Sequence, residues 1–208
     1  MKRLMILVLA VALLTAGGVA FAQEAAAPAV PADTLQNLQT AYNGESNANA
    51  RYLAFADKAK AEGYLQVEKL FLAAAVAEQI HATVHAKVIR NLGAEPKMEL
   101  TAPEVKTTLE NLQAALKGET YEKDVMYPGF LAIAEKADNK DAQRAFRGAM
   151  LAEVEHAKLY SEAIANLEGW KQVTRQIIVC DDCGFTTTDT ALKQCPVCSN
   201  PRKNFIEV

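Results

Sequence analysis

Two glutamate–histidine pairs, Glu78-x-x-His81 and Glu153-x-x-His156, recur in this 208-residue chain. At a spacing of three, carboxylate and imidazole share one face of a helix and can reach one cation. Each pair lies in the same string, F-x6-E-x-x-H-A, from Phe71 to Ala82 and from Phe146 to Ala157. The same shift aligns Ala74, Ala77, Ile89, Asn91 and Leu92 with Ala149, Ala152, Ile164, Asn166 and Leu167. Upstream, Gly44-Glu45-Ser46 answers Gly118-Glu119-Thr120. Glu45 precedes Glu78 by 33 residues, and Glu119 precedes Glu153 by 34. The unit is a helix bearing one Glu, then a helix bearing Glu-x-x-His, and it occurs twice.

Any one of these acids alone reads as a snorkelling or ion-paired glutamate. Their positions argue otherwise. Glu78 falls on the apolar stripe of Phe71, Ala74 and Ala82, and Glu153 on that of Phe146, Ala149 and Tyr160. Glu45 lies between Leu38 and Tyr52, and Glu119 and Glu122 continue the stripe of Leu109, Leu112 and Leu116 towards Met126. Carboxylates converging in one core repel and desolvate at a cost of several kcal/mol each. Protonation or bound cations offset that cost. A Glu from each of two helices plus Glu-x-x-His from two others is the di-iron pattern of ferritin-like bundles.

Three further residues flank these ligands. His85, four residues after His81, has Tyr160 as its repeat counterpart and is expected beside the metals or in solvent rather than on them. Tyr52 and Tyr127 are placed either to hydrogen-bond a carboxylate or to pack with an apolar edge.

All four cysteines lie in the last thirty residues, as Cys180-x-x-Cys183 and Cys195-x-x-Cys198. Two such knuckles can arrange four thiolates tetrahedrally around one ion, iron or zinc. Gly184, directly after the second cysteine, permits the tight knuckle turn. Two disulfides are the competing reading, which an exported protein allows. A module this small has little core, so its metal supplies most of its folding free energy.

The elements that must position these groups are mostly helical. Apolar steps of three and four continue from Asp33 to Gly169. One helix is expected from an Asp33 N-cap to about Glu62, and a second from about Tyr64 to Asn91, ended by Gly63 and Gly93. Thr101-Ala-Pro-Glu104 reads as a capping box opening a third, running to about Ala137 with a kink near Pro128. The fourth is expected from about Lys140 to Leu167, ended by Gly169. Gln176 to Val179 is β-prone. The expected class is mainly α: a four-helix bundle over 33–169, then a metal-knuckle module with short strands over 170–208.

Met1-Lys2-Arg3, the apolar run Leu4 to Leu14 and Ala20-Phe21-Ala22 read as a signal peptide over 1–22. The Ala/Pro-rich stretch over 23–32 follows as a flexible tether. Cleavage after Ala22 implies export to the periplasm; the uncleaved alternative is a membrane anchor. Removing Lys2 and Arg3 takes the formal charge of −3 further negative. With no long basic run, nucleic acid is excluded as the main partner.

These residues resemble the rubrerythrin family, a ferritin-like di-iron bundle fused to a rubredoxin-like domain, over roughly residues 33–208. The resemblance implies carboxylate ligation by Glu45, Glu78, Glu119 and Glu153, imidazole ligation by His81 and His156, and thiolate ligation by Cys180, Cys183, Cys195 and Cys198. Glu122 matches the extra glutamate of rubrerythrins, and the resemblance implies that one iron exchanges His81 for Glu122 as its redox state changes. Met126 to Phe130 is similar to the family's helix-three segment. Phe185 stands where a Tyr is common, and Ser199 where free rubredoxins usually have Gly. The export signal departs from a family that is usually cytoplasmic. The implied activity is reduction of hydrogen peroxide to water by two ferrous ions, each giving one electron, with Glu122 as proton source and Tyr52 and Tyr127 as neighbours in the site. The four-thiolate iron then returns electrons from a redox donor protein, a periplasmic one for an exported chain. The implied assembly is a head-to-tail homodimer that sets this iron beside the partner's di-iron pair. The rivals are a ferroxidase of the ferritin kind and a non-catalytic zinc-ribbon module on a structural bundle.

Overall fold

The computed structural model describes residues 32–208 apart from Thr174. The stretch read as a signal peptide (1–22), and all but the last residue of that read as a tether (23–32), lie outside the described residues. The chain order is α1 (Ala32–Ala61), α2 (Leu65–Asn91), α3 (Thr108–Tyr121), a π-helical turn (Glu122–Met126), α4 (Tyr127–Lys136) and α5 (Lys140–Ala165). Strands β1 (Ile178–Cys180), β2 (Thr186–Thr187) and β3 (Phe205–Glu207) follow, forming an antiparallel sheet in the order β2-β1-β3. Among the described residues no helix is long and apolar enough to cross a membrane.

The helices form a ferritin-like four-helix bundle, with α3, the π turn and α4 together making its third rod. Alanines at 41, 48, 56, 59, 73, 74, 77, 149 and 152 are buried, so the backbones approach closely. Two aromatic layers close the interior. Tyr52, Phe55, Phe71 and Tyr160 form one, and Tyr127, Phe130, Phe146 and His85 the other.

Several boundaries differ from expectation for local reasons. Helix α1 begins at Ala32, so Asp33 lies inside the first turn, where its charge suits the helix dipole, rather than capping it. Gly63 and Gly93 do end α1 and α2 at positive φ. The capping box of α3 is Thr107–Glu110, not Thr101–Glu104: Thr107 Oγ1 accepts from the Glu110 N–H while the Glu110 carboxylate accepts from the Thr107 N–H. Residues 94–107 stay extended because α1 holds them. Gln39, Asn43 and Asn47, one turn apart, accept the backbone N–H groups of Lys97, Glu99 and Thr101. The kink expected near Pro128 is the π turn before it. Helix α5 stops at Ala165, and Gly169 falls in the short 3-10 turn Leu167–Trp170 that follows.

The π turn has a sequence signature. Glu45 and Glu119 are 74 residues apart, whereas Tyr52 and Tyr127, and Phe55 and Phe130, are 75 apart. The second copy of the repeat carries one extra residue between Glu119 and Tyr127. A π turn is how a helix absorbs one inserted residue without losing its register further along.

Candidate metal centre

Glu45 comes from α1, Glu78 and His81 from α2, Glu119 from α3, and Glu153 and His156 from α5. All six are buried. They resolve into two overlapping sets whose ligand atoms lie within 4.8 Å of one another: Glu45, Glu78, His81 and Glu153, and Glu78, Glu119, Glu153 and His156. Glu78 and Glu153 belong to both, so each can bridge two cations. Buried Glu45 Oε2, Glu78 Oε1 and Glu119 Oε2 carry no hydrogen bond. Orphaned buried oxygens facing one another are costly unless a cation binds them, and this donor set fits two iron ions.

The imidazoles are set for ligation through Nδ1. His81 Nδ1 lies 2.9 Å from Glu78 and 3.1 Å from Glu153, and His156 Nδ1 lies 2.7 Å from Glu153. Their outer nitrogens are claimed by the knuckle module. His81 Nε2–H donates to the Cys183 carbonyl at 3.0 Å. The Thr186 hydroxyl gives its proton to the Gly184 carbonyl, so its oxygen accepts from His156 Nε2–H at 2.9 Å. Both contacts fix the tautomer that leaves Nδ1 bare towards the metals. The module therefore sits on its own bundle, in the place that the head-to-tail expectation gives to a partner's.

Both tyrosines hydrogen-bond carboxylates, across the bundle rather than along their own helices. Tyr52 of α1 donates to Glu119 at 2.5 Å, and Tyr127 of α4 donates to Glu45. His85 is fully buried, with Nε2 3.1 Å from the Tyr127 hydroxyl, so the solvent-exposed alternative does not hold. Glu122 is half-buried in the π turn, outside the six-residue cluster but close enough to feel it.

Charge is balanced by shared protons. Burial, then Glu153 and Glu78, push the Glu119 carboxyl up to about 8. Burial and Glu78 raise Glu45 well above the carboxylate range, and burial with Glu45 and Glu119 does the same to Glu122. Burial opposes charge on His81, but Glu153 and Glu78 outweigh it and lift the imidazole to about 10. Burial would likewise raise Glu153, yet His81 and His156 hold it down. Cations entering the cluster therefore compete with protons for these groups.

The four cysteines are free. Cys180 and Cys198 Sγ are 3.6 Å apart, as are Cys183 and Cys195. A disulfide needs about 2.05 Å. A tetrahedron with metal–sulfur bonds of about 2.3 Å has edges near 3.8 Å. The disulfide reading therefore fails, and the thiols fit one rubredoxin-type iron, with zinc equally accepted by the sulfur set.

Sequence reasoning missed Thr186 and underrated Gly184. A Cβ on Gly184 would come 2.3 Å from His81 Nε2, so this position needs glycine for close approach as well as for its φ of +74°. The available signal was position: Gly184 directly follows the ligand Cys183, and Thr186 lies three residues after it.

A four-helix bundle presenting two Glu and two Glu-x-x-His, capped by a four-cysteine knuckle, defines a di-metal carboxylate protein of the ferritin-like class. Residues 36–164 match the Rubrerythrin family profile. Rubrerythrin-2 of Clostridium acetobutylicum is 36% identical over 174 residues, spanning 83% of this chain and 95% of that protein. Nigerythrin of Nitratidesulfovibrio vulgaris is 34% identical over 175 residues, covering 83% and 85%. The solved fully reduced, all-ferrous nigerythrin superposes with a TM-score of 0.79 at 33% identity, over 84% of this chain and 86% of that one. The chain belongs to the rubrerythrin family, whose members are oxidoreductases.

Proposed function

We propose that the protein is a peroxidase that reduces hydrogen peroxide to water, using Glu45, Glu78, His81, Glu119, Glu153 and His156 as di-iron ligands and the four cysteines as ligands of a third iron. The observation that carries this reading is the pair of hydrogen bonds from His81 and His156 to residues 183–186. They join the bundle cluster to the thiolate module within one chain, an arrangement that electron delivery uses and iron storage does not require. When bound, two ferrous ions supply an electrophile and two electrons, and the thiolate-held iron replaces those electrons one at a time.

The protein groups do the rest. Glu78 and Glu153 hold the two cations together. Tyr52 and Tyr127 keep Glu119 and Glu45 from rotating. Glu122, whose carboxyl burial, Glu45 and Glu119 push towards the protonated form, would supply a proton to the departing oxygen, and its carboxylate would be the group to replace His81 as a ligand when iron is bound. The aromatic layers keep bulk water out. A groove of about 640 Å³ between α2, α5 and the knuckle is lined by His81, Lys87, Arg144, Arg147, Cys183 and Cys198, and supports approach of peroxide and of a redox donor protein.

Steady peroxide consumption by the iron-loaded protein with a reduced one-electron donor tests the reading. Turnover is expected; oxygen-driven ferrous oxidation without peroxide turnover would favour the ferroxidase. The short apolar run before Ala20-Phe21-Ala22 supports export, with the mature chain starting at Gln23 in the periplasm, where the donor is then also located. Intact-mass measurement of native material is expected to show residues 1–22 absent; a full-length mass in the membrane fraction would contradict export by cleavage.

A further inference from the structure

We propose that His85 is a positioning residue for the metal ligand Glu45, acting through Tyr127, and that it makes the two halves of the di-metal site inequivalent. The repeat makes the comparison internal. Glu45, Tyr127 and His85 on one side correspond to Glu119, Tyr52 and Tyr160 on the other. Each ligand glutamate receives a tyrosine hydroxyl, and each tyrosine has a third residue against it. On one side that third group is an imidazole, and on the other a phenol ring 5.8 Å from Tyr52.

Hydrogen-bond bookkeeping fixes what the imidazole does. The Tyr127 hydroxyl has one proton and gives it to Glu45 Oε1. His85 Nε2, at 3.1 Å, must then be the donor to the Tyr127 oxygen. The tautomer is Nε2–H, which leaves Nδ1 as a bare, buried nitrogen without a hydrogen bond. A purely packing position would be filled at lower cost by Phe or Leu, because no polar atom would be left unpartnered. The imidazole ring also lies nearly parallel to that of Tyr127, with 28° between planes and 6.0 Å between centroids, and packs against Phe146. Donation into the tyrosine oxygen polarises its O–H, strengthens its bond to Glu45 and stops the carboxylate from turning away from the cation.

The inference rests on Glu45 being a ligand, so the experiment separates the two claims. Metal-free full-length protein is titrated with Co(II). The thiolate-bound ion, read from its sulfur charge-transfer bands, is an internal control beside the weaker d–d bands of the two bundle ions. His85→Phe is expected to bind one bundle Co(II) at least ten-fold more weakly, the usual cost of losing such a support. The other bundle ion and the thiolate ion should stay within about two-fold. His85→Gln, whose amide N–H can donate to Tyr127, should recover most of the loss. Wild-type affinities in His85→Phe, or a Gln variant as weak as Phe, would overturn the proposal. So would equal weakening of all three ions. If Glu45→Gln leaves both bundle ions unchanged, the ligand assignment itself fails and the proposal with it. If Glu45→Gln weakens one ion and His85→Phe weakens none, only the role of His85 is lost.

Discussion

Ser199 adopts φ +64°, a left-handed conformation that a side chain resists, at the position where free rubredoxins usually have Gly. Ser199→Gly is expected to stabilise the knuckle by about 0.5–1 kcal/mol, after allowing for the larger unfolded-state entropy of glycine. Denaturant loss of the thiolate–metal chromophore measures it, and an unchanged midpoint would contradict the strain. The ligands make a second residue-scale prediction. His81 is lifted to about 10 and Glu119 to about 8, so both hold protons at pH 7 and must release them on metal binding. Affinity for the bundle cations should therefore rise with pH between 6 and 8 and fall in acid. Zinc titration in weak buffer should acidify the solution by at least the protons of these two groups. Metal uptake that ignores pH would contradict the assignment. These residues were legible in the sequence because acids on an apolar stripe, repeated twice, admit few explanations. Which oxygen meets which tyrosine was not legible, since the Tyr52–Glu119 and Tyr127–Glu45 bonds cross between helices whose separation no periodicity encodes.

At the scale of elements, the π turn at Glu122–Met126 interrupts the third of the rods that carry the site. The extra residue it absorbs brings Glu122 beside Glu45 and Glu119 while keeping Tyr127 in register with Tyr52. Deleting Lys123 should restore α-helical geometry and move Glu122 out of the site. Both the deletion and Glu122→Ala should keep two bundle metals, since the six-residue cluster is untouched, and both should slow peroxide reduction. Iron analysis with stopped-flow oxidation checks this; wild-type rates with full iron in Glu122→Ala would make Glu122 a bystander. The 33-against-34 spacing already held this turn, but a one-residue difference between repeats has no meaning until the tyrosines that restore the register are known to pair. The 94–107 connection was misjudged for a similar reason. Thr101-Ala-Pro-Glu104 has the letters of a cap, yet the Gln39, Asn43 and Asn47 ladder captures that backbone first.

Across the whole molecule, the bundle and the knuckle were separately readable, because repeats and C-x-x-C spacing are local patterns. Their docking was not, because it depends on a carbonyl, a glycine and one threonine hydroxyl meeting two buried imidazoles. That junction carries the functional claim. Removing one thiolate by Cys198→Ser should cripple the knuckle's iron, a hydroxyl being a poor ligand at this soft site, while the bundle ligands on α1, α2, α3 and α5 still load. The decisive measurement is peroxide reduction by Cys198→Ser in two regimes. Fully reduced variant should oxidise once on mixing with peroxide at close to the wild-type rate, and its steady turnover with an external donor should collapse. Wild-type steady turnover with the bundle fully metallated would contradict the electron-relay role of residues 180–198.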